Sequence, residues 1–295
     1  MRIGIAGLDR MGTAIAERLK EMGHDVVVWN RSAEKTRLLA DAGAEVASTP
    51  ADLAGRAEVI LTILTDAEAI ETVYRGPSGV LSADLAGKLV IEMSTVQPET
   101  EVKLAAKVRA KGAAFVECPV GGTVGPARTG KLIGLAGTSE ADFARAKPIL
   151  DQLCRRLEHV GEVGAGASMK LAINLPLMVF YQALGEAYAL TKHLGKDTGW
   201  MIDLFADSSG GPNVLKNRGP TIAKALSGED LGAPAFDVDS IRKDLRTMIA
   251  EGSARGFDLP LVSQALAIYD QAADAGWGKR DGSTLPAFWS HRQAR

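Results

Sequence analysis

The chain has 295 residues, of which 46% are hydrophobic and 24% charged, with a formal net charge of −2 at pH 7. That length holds one large domain or two ordinary ones, and the composition is that of a soluble globular protein. With no basic cluster or acidic tail, the charge gives no basis for binding nucleic acid or an acidic membrane. The most apolar run, residues 175–181, is too short to span a bilayer. The opening MRIGIAGL is too short an apolar run for a signal peptide, so a cytoplasmic chain is expected. Cys118 and Cys154 are expected to be buried free thiols in a reducing compartment. The four histidines are scattered without ligand-like neighbours, so no protein-bound metal is expected.

In chain order, residues 2–6 (RIGIA) read as a strand. Residues 11–22 read as a helix with Met11, Ile15, Leu19 and Met22 on one face, and residues 25–29 (DVVVW) as a second strand. Between the first strand and the helix lies the turn Gly7-Leu8-Asp9-Arg10-Met11-Gly12. Strand, glycine turn, helix and strand form a βαβ unit of the dinucleotide-binding kind, with a pyrophosphate expected at the helix N-terminus. The fingerprint G-x-G-x-x-G is broken, because Asp9 stands where the middle glycine lets backbone approach the pyrophosphate. Arg10 could offset that charge. The second strand ends in Asn30-Arg31-Ser32, with no acidic residue for the ribose hydroxyls. Arg31 and Ser32 suit a 2′-phosphate, so NADP(H) is expected over NAD(H), with NAD(H) still possible.

The alternation continues through 45–46, a buried strand at 58–64 ending at Leu64-Thr65-Asp66, a strand at 88–92 leading into Met93-Ser94-Thr95, and a strand at 113–116. Ligands of open parallel sheets bind beyond the carboxyl ends of strands. Gly7, Arg31, Thr65, Ser94, Thr95 and the turn after residue 117 should therefore share one crevice. In that turn Gly121 and Gly122 can present consecutive N–H groups to an anion and Thr123 adds a hydroxyl; a carboxylate is the natural guest. Residues 131–137, a helix through 153 and a strand at 157–160 complete the sheet.

Residues 164–194 read as one helix of roughly 28 residues, about 40 Å long. It is apolar nearly all round and therefore buried on most sides. Lys170 and Asn174 sit four residues apart on one face. Pro176 removes a helical hydrogen bond and predicts a local kink. After Gly195 only helical signals follow, at 197–207, 237–255 and 260–275, before a Gly-rich tail.

Taken together, AGLDRMG, EMSTVQP, ECPVGGTVGPARTGKL, GAGASMKLAIN, Glu186-Ala187 and KDL at 243–245 resemble the β-hydroxyacid dehydrogenase family over nearly the whole chain. Its members include 3-hydroxyisobutyrate dehydrogenase, glyoxylate/succinic semialdehyde reductases and 6-phosphogluconate dehydrogenase. The resemblance implies an α/β Rossmann domain (residues 1–163), an interdomain helix (164–194) and an all-α domain (195–295). It implies a reductase or dehydrogenase of a small β-hydroxy acid and its aldehyde or ketone, with the active site between the halves.

By the same resemblance Lys170 is the general acid/base and Asn174 holds the substrate. Cofactor contacts fall to Gly7, Leu8, Asp9, Arg10, Met11, Gly12, Asn30, Arg31, Ser32, Leu64, Thr65, Thr95 and Lys243. Substrate contacts fall to Ser94, Gly121, Gly122 and Thr123 together with Lys170 and Asn174. Gly121 stands where the family usually has serine. The chemistry fits the residues: hydride addition leaves an alkoxide, and a lysine held partly out of water can protonate it and stabilise its charge. A small carboxylated substrate and a homodimer or homotetramer are expected. Two other readings are an imine reductase on the same fold, which Lys170 argues against, and a non-catalytic dinucleotide-binding protein, for which Asp9 is the only support.

Overall fold

The computed structural model describes residues 1–291. Its strands are β1 (Arg2–Ala6), β2 (Asp25–Trp29), β3 (Glu45–Val46), β4 (Val59–Thr62), β5 (Leu89–Glu92), β6 (Ala114–Glu117), β7 (Val120–Gly121), β8 (Leu132–Gly137) and β9 (Cys154–Gly161). Interleaved with them are α1 (Arg10–Glu21), α2 (Arg37–Asp41), α3 (Pro50–Arg56), α4 (Ala67–Arg75), α5 (Pro98–Arg109), α6 (Val124–Arg128) and α7 (Glu140–Leu153). There follow α8 (Ala165–Thr191), α9 (Thr198–Asp207), α10 (Asn213–Leu226), α11 (Val238–Ala254), α12 (Pro260–Ala272) and α13 (Leu285–His291). The chain divides into two compact units, Met1–Leu171 and Ala172 onward.

In the first unit the strands run β3-β2-β1-β4-β5-β6-β8-β7 across one sheet, with β9 also paired to β8. Strands β1 to β6 are parallel to one another, whereas β8 is antiparallel to β6 and β7 and parallel to β9. This is a Rossmann sheet extended at one edge. Its central strands are buried on both faces, and the two-residue period of a strand assigns their side chains to two cores. Ile3, Ile5, Val26, Val28, Leu61, Ile91 and Val116 face one side with Ile15 and Leu19 of α1. Val27, Ile60, Val90 and Phe115 face the other, with Leu53 and Tyr74.

Helix starts follow local chemistry. Thr49 accepts from the N–H of Asp52 ahead of Pro50, Asp66 from Ala69, Ser139 from Asp142, and Asp197 from Trp200. Each satisfies a backbone donor that the first helical turn leaves open.

The long helix α8 spans 27 residues. Its helical run continues on both sides of Pro176. A 3₁₀ turn at Lys192–Leu194 and Gly195, with φ of +59°, then end it, since a positive φ suits glycine. In the second unit α9 packs on α10 and α11 on α12. Met178, Leu184, Ile202, Ile222, Ile241, Leu245, Val262 and Tyr269 are buried there. The Tyr269 hydroxyl donates to the carbonyl of Met178 at 3.1 Å, tying α12 to α8. The helix expected at 260–275 stops at Ala272, and Gly276, at φ of +84°, follows in a wider turn.

Candidate active site

The turn between β1 and α1 is built by two glycines. Gly7 has φ of +97°, and a Cβ on Gly12 would lie 1.8 Å from the Gly7 carbonyl oxygen. No other residue at position 12 lets α1 begin so close to β1. The Leu8 N–H donates to Asn30 Oδ1 at 2.9 Å, and the Asn30 amide donates to the Ser32 carbonyl at 3.1 Å. Asn30 thus fastens the end of β2 to the glycine turn. Asp9 occupies the N-cap of α1, but its side chain makes no cap bond. Its carboxylate is ion-paired instead with Lys35, a residue the sequence reading did not single out.

A cavity of about 290 Å³ opens beside this turn. Gly7, Asp9, Asn30, Arg31, Ser32, Leu64 and Thr65 line it, as do Lys35 and apolar residues including Trp29 and Val73. Seven of the expected cofactor residues, from the ends of β1, β2 and β4, are therefore gathered around one space, while Leu8, Arg10, Met11 and Gly12 of the same turn are not part of its lining. A cationic rim on an otherwise mostly apolar pocket suits an adenosine carrying phosphate. The carboxylate of Asp9 is the one element of the lining that opposes a phosphate.

Ser94 is buried. Its hydroxyl accepts from the Leu64 N–H at 2.7 Å and also hydrogen-bonds Glu92. It ties the turn after β5 to the turn after β4. The buried carboxylate of Glu92 also accepts from the Ser94 N–H at 2.9 Å and from the Thr62 hydroxyl at 3.3 Å. Burial raises its pKa. Glu101 of α5 is buried next to it; burial and then the Glu92 charge push the Glu101 carboxyl well above the usual range.

In the loop after β6, Gly122 has φ of +127°, and a Cβ there would lie 2.8 Å from Leu132 Cδ2. Glycine is required. Gly121 differs, because a Cβ would meet only Ile133, at 3.6 Å. A side chain fits at 121 and is absent. Thr123 precedes α6 and its hydroxyl makes no cap bond. The buried Cys118 and Cys154 are both free thiols. Among the described residues no group of three or more His, Cys, Asp or Glu side chains is placed to hold a metal.

Glu117, at the end of β6, was not anticipated. Its Oε1 accepts the N–H groups of Gly164 at 2.8 Å, Gly166 at 2.6 Å and Ala167 at 3.3 Å. It caps α8 from 47 residues away. A Cβ on Gly166 would lie 2.4 Å from the Leu135 carbonyl oxygen and 2.9 Å from Glu117 Oε1, so glycine there lets the helix start reach the carboxylate. Burial pushes Glu117 up to about 7, the three N–H bonds pull the other way, and the charge of Glu92 adds to the rise.

Lys170 lies in the second turn of α8 and is 8% exposed, and Asn174, one turn later, is 9% exposed. In the second unit the Asn174 amide donates to Asp244 Oδ2 at 3.3 Å, and Lys243 pairs with Asp244 Oδ1 at 2.5 Å. Asp244 is itself buried. This carboxylate holds the amide and an amine that the sequence reading assigned separately to substrate and cofactor. Only its place beside Lys243 in the KDL block could have drawn attention to it.

Comparison with known proteins identifies the family. Residues 2–161 match the NAD binding domain of 6-phosphogluconate dehydrogenase, and residues 164–288 match the NAD-binding region of NADP-dependent 3-hydroxyisobutyrate dehydrogenase. Glyoxylate/succinic semialdehyde reductase 1 of Arabidopsis thaliana is 32% identical over 285 residues, 97% of each chain. The 3-sulfolactaldehyde reductase of Escherichia coli is 34% identical over 283 residues, covering 96% of this chain and 94% of the relative. The crystal structure of a 3-hydroxyisobutyrate dehydrogenase from Salmonella typhimurium superposes with a TM-score of 0.86 at 27% identity, covering 98% of this chain and 99% of that one. With a Rossmann unit, a cavity at its strand ends and relatives matched along almost their full length, the chain belongs to the β-hydroxyacid dehydrogenase family of NAD(P)-dependent oxidoreductases.

Proposed function

We propose that the chain is an NADPH-preferring reductase of small carboxylated aldehydes or ketones, or a dehydrogenase of the matching β-hydroxy acids, with Lys170 as general acid/base. The observation that carries this is a lysine only 8% exposed, one helical turn before a buried asparagine. A lysine so placed is largely shielded from water, and a substrate oxygen that reaches its amine can exchange a proton with it. When bound, the nicotinamide dinucleotide supplies or accepts the hydride. In the reducing direction the Lys170 ammonium gives its proton to the substrate oxygen as negative charge develops there. In the oxidising direction the neutral amine takes the hydroxyl proton. Asn174, held by Asp244, orients the substrate. Gly121, Gly122 and Thr123 receive its carboxylate through backbone N–H groups and a hydroxyl, and the missing side chain at 121 leaves room for a bulkier acid.

NADPH preference is supported by Arg31 and Ser32 around the cavity and by the lack of a carboxylate at the end of β2. The test is a panel of β-hydroxy acids and semialdehydes assayed with both cofactors. Turnover of at least one carboxylated semialdehyde is expected, with kcat/KM at least about tenfold higher for NADPH. Equal or reversed preference would remove the cofactor assignment, and no turnover anywhere in the panel would remove the substrate class.

We also propose self-association through the helical unit. Ile173, Leu190, Trp200 and Leu204, on α8 and α9, are each at least half exposed despite being large and apolar. Light scattering is expected to give at least twice the 31.0 kDa of one chain; a monomer mass would refute this. Among the described residues no helix is long and apolar enough to cross a membrane.

A further inference from the structure

The charged side chains lining the nucleotide cavity are Asp9, Arg31 and Lys35. Asp9 stands at the N-cap of α1, the point at which a dinucleotide fold receives the pyrophosphate. A bare carboxylate there repels two phosphates. Yet it does not cap its own helix; it is paired with Lys35, which follows β2 in a 3₁₀ turn at Ala33–Thr36. Both side chains are substantially exposed, at 57% and 44%, so the pair is not needed to fill a core. The same lysine lies beside Arg31 and Ser32, where a 2′-phosphate would add close to two negative charges.

We propose that Lys35 is the counter-ion that lets a turn carrying Asp9 accept a pyrophosphate, and that this use of Lys35 withholds a cation from the 2′-phosphate. The Asp9–Lys35 pair thereby sets the affinity for both dinucleotides and narrows the margin between them. The proposal rests on the cavity being the dinucleotide site. It separates Lys35 from Arg31: Arg31 reads only the 2′-phosphate, while Lys35 serves first the part that NADH and NADPH share.

The test is a double-mutant cycle on the full chain, reading Kd for NADPH and NADH by fluorescence or calorimetry at one fixed ionic strength. In the wild-type background Lys35→Met is expected to weaken both dinucleotides, by about tenfold each, because it exposes Asp9 to the pyrophosphate. Asp9→Asn alone should tighten both, and NADPH more, because Lys35 is released. In the Asp9→Asn background Lys35→Met should weaken NADPH and leave NADH within about twofold. Lys35→Arg, which keeps the charge, should hold NADH affinity within about threefold of wild type. Both positions are at the surface, and matching melting temperatures will show that the variants fold.

A Lys35→Met variant that loses NADPH affinity but keeps NADH affinity in the wild-type background would overturn the proposal, leaving Lys35 a reader of the 2′-phosphate alone. Equal effects of Lys35→Met with and without Asp9 would also overturn it, because the two residues would then be uncoupled. Failure of the wild-type chain to bind either dinucleotide is a separate result: it would remove the site beneath the proposal and the proposal with it.

Discussion

Lys170→Ala is expected to lower turnover at least 100-fold, about 2.7 kcal/mol of transition-state stabilisation, while NADPH affinity stays within about threefold. Lys170 lies in the second turn of α8, more than 90% buried, and Asn174 follows it by one turn. Under the proposed mechanism, removing the amine takes away both the proton donor and the positive charge that meets the developing oxyanion. Lys170→Arg separates these two contributions. Arginine keeps the charge but does not give up its proton, so its turnover should stay within about tenfold of the alanine variant. Steady-state kinetics with saturating NADPH, paired with cofactor titration, measures both. Near-normal turnover in Lys170→Ala would end the acid/base assignment. A parallel collapse of cofactor binding would show that Lys170 supports the fold of the site rather than the proton transfer.

What could be read from the chain divides along the range of the interactions involved. The β1–turn–α1–β2 unit was legible because its signals lie within thirty residues: two glycines, a strand of apolar residues and a helix with a single apolar face. Lys170 and Asn174 were legible because a helix places residues four apart on one face. The contacts that hold these groups were not. Glu117 reaches Gly164 across 47 residues, Asp244 reaches Asn174 across 70, and Lys35 reaches Asp9 across 26. Nothing local in a glutamate after AFV marks it as the cap of a distant helix.

Short or internally contradictory elements were missed as well. The two-residue β7 is held by pairing with β8 rather than by its own propensity. Helix α10 carries Gly219-Pro220 in its interior, a pair that ordinarily ends a helix, yet it continues with Leu215, Ile222 and Leu226 buried. Packing of those apolar side chains outweighs the local penalty.

Glu117→Gln is expected to flatten the pH dependence of folding stability. Glu117 is buried, its Oε1 is taken by the start of α8, and its Oε2 finds no hydrogen-bond partner among the described residues. An ionised carboxylate so placed is disfavoured by lost hydration, and its pKa rises from 4.5 to about 7. The folded chain therefore binds the proton more tightly than the unfolded chain. The stability this provides is fully present below pH 4.5 and is lost as pH rises through about 7. A shift of this size corresponds to about 3 kcal/mol, with a slope approaching 1.4 kcal/mol per pH unit inside the window. Glu92 and Glu101 are shifted in the same direction, so the wild type should show a steeper loss than Glu117 alone provides.

Glutamine keeps an acceptor for the N–H groups of Gly164 and Gly166 and stays uncharged at every pH, as protonated Glu117 does. Relative to wild type, Glu117→Gln should thus gain about 3 kcal/mol between pH 4.5 and 8. Urea titrations at several pH values across that range will read it, and a variant whose stability tracks that of the wild type throughout would show that Glu117 does not titrate there. The same carboxylate fixes the start of the helix that carries Lys170, so a shift in its charge between pH 6 and 8 acts on the turn that precedes Lys170. In Glu117→Gln the wild-type pH dependence of kcat should lose whatever part Glu117 supplies, while KM for NADPH stays unchanged.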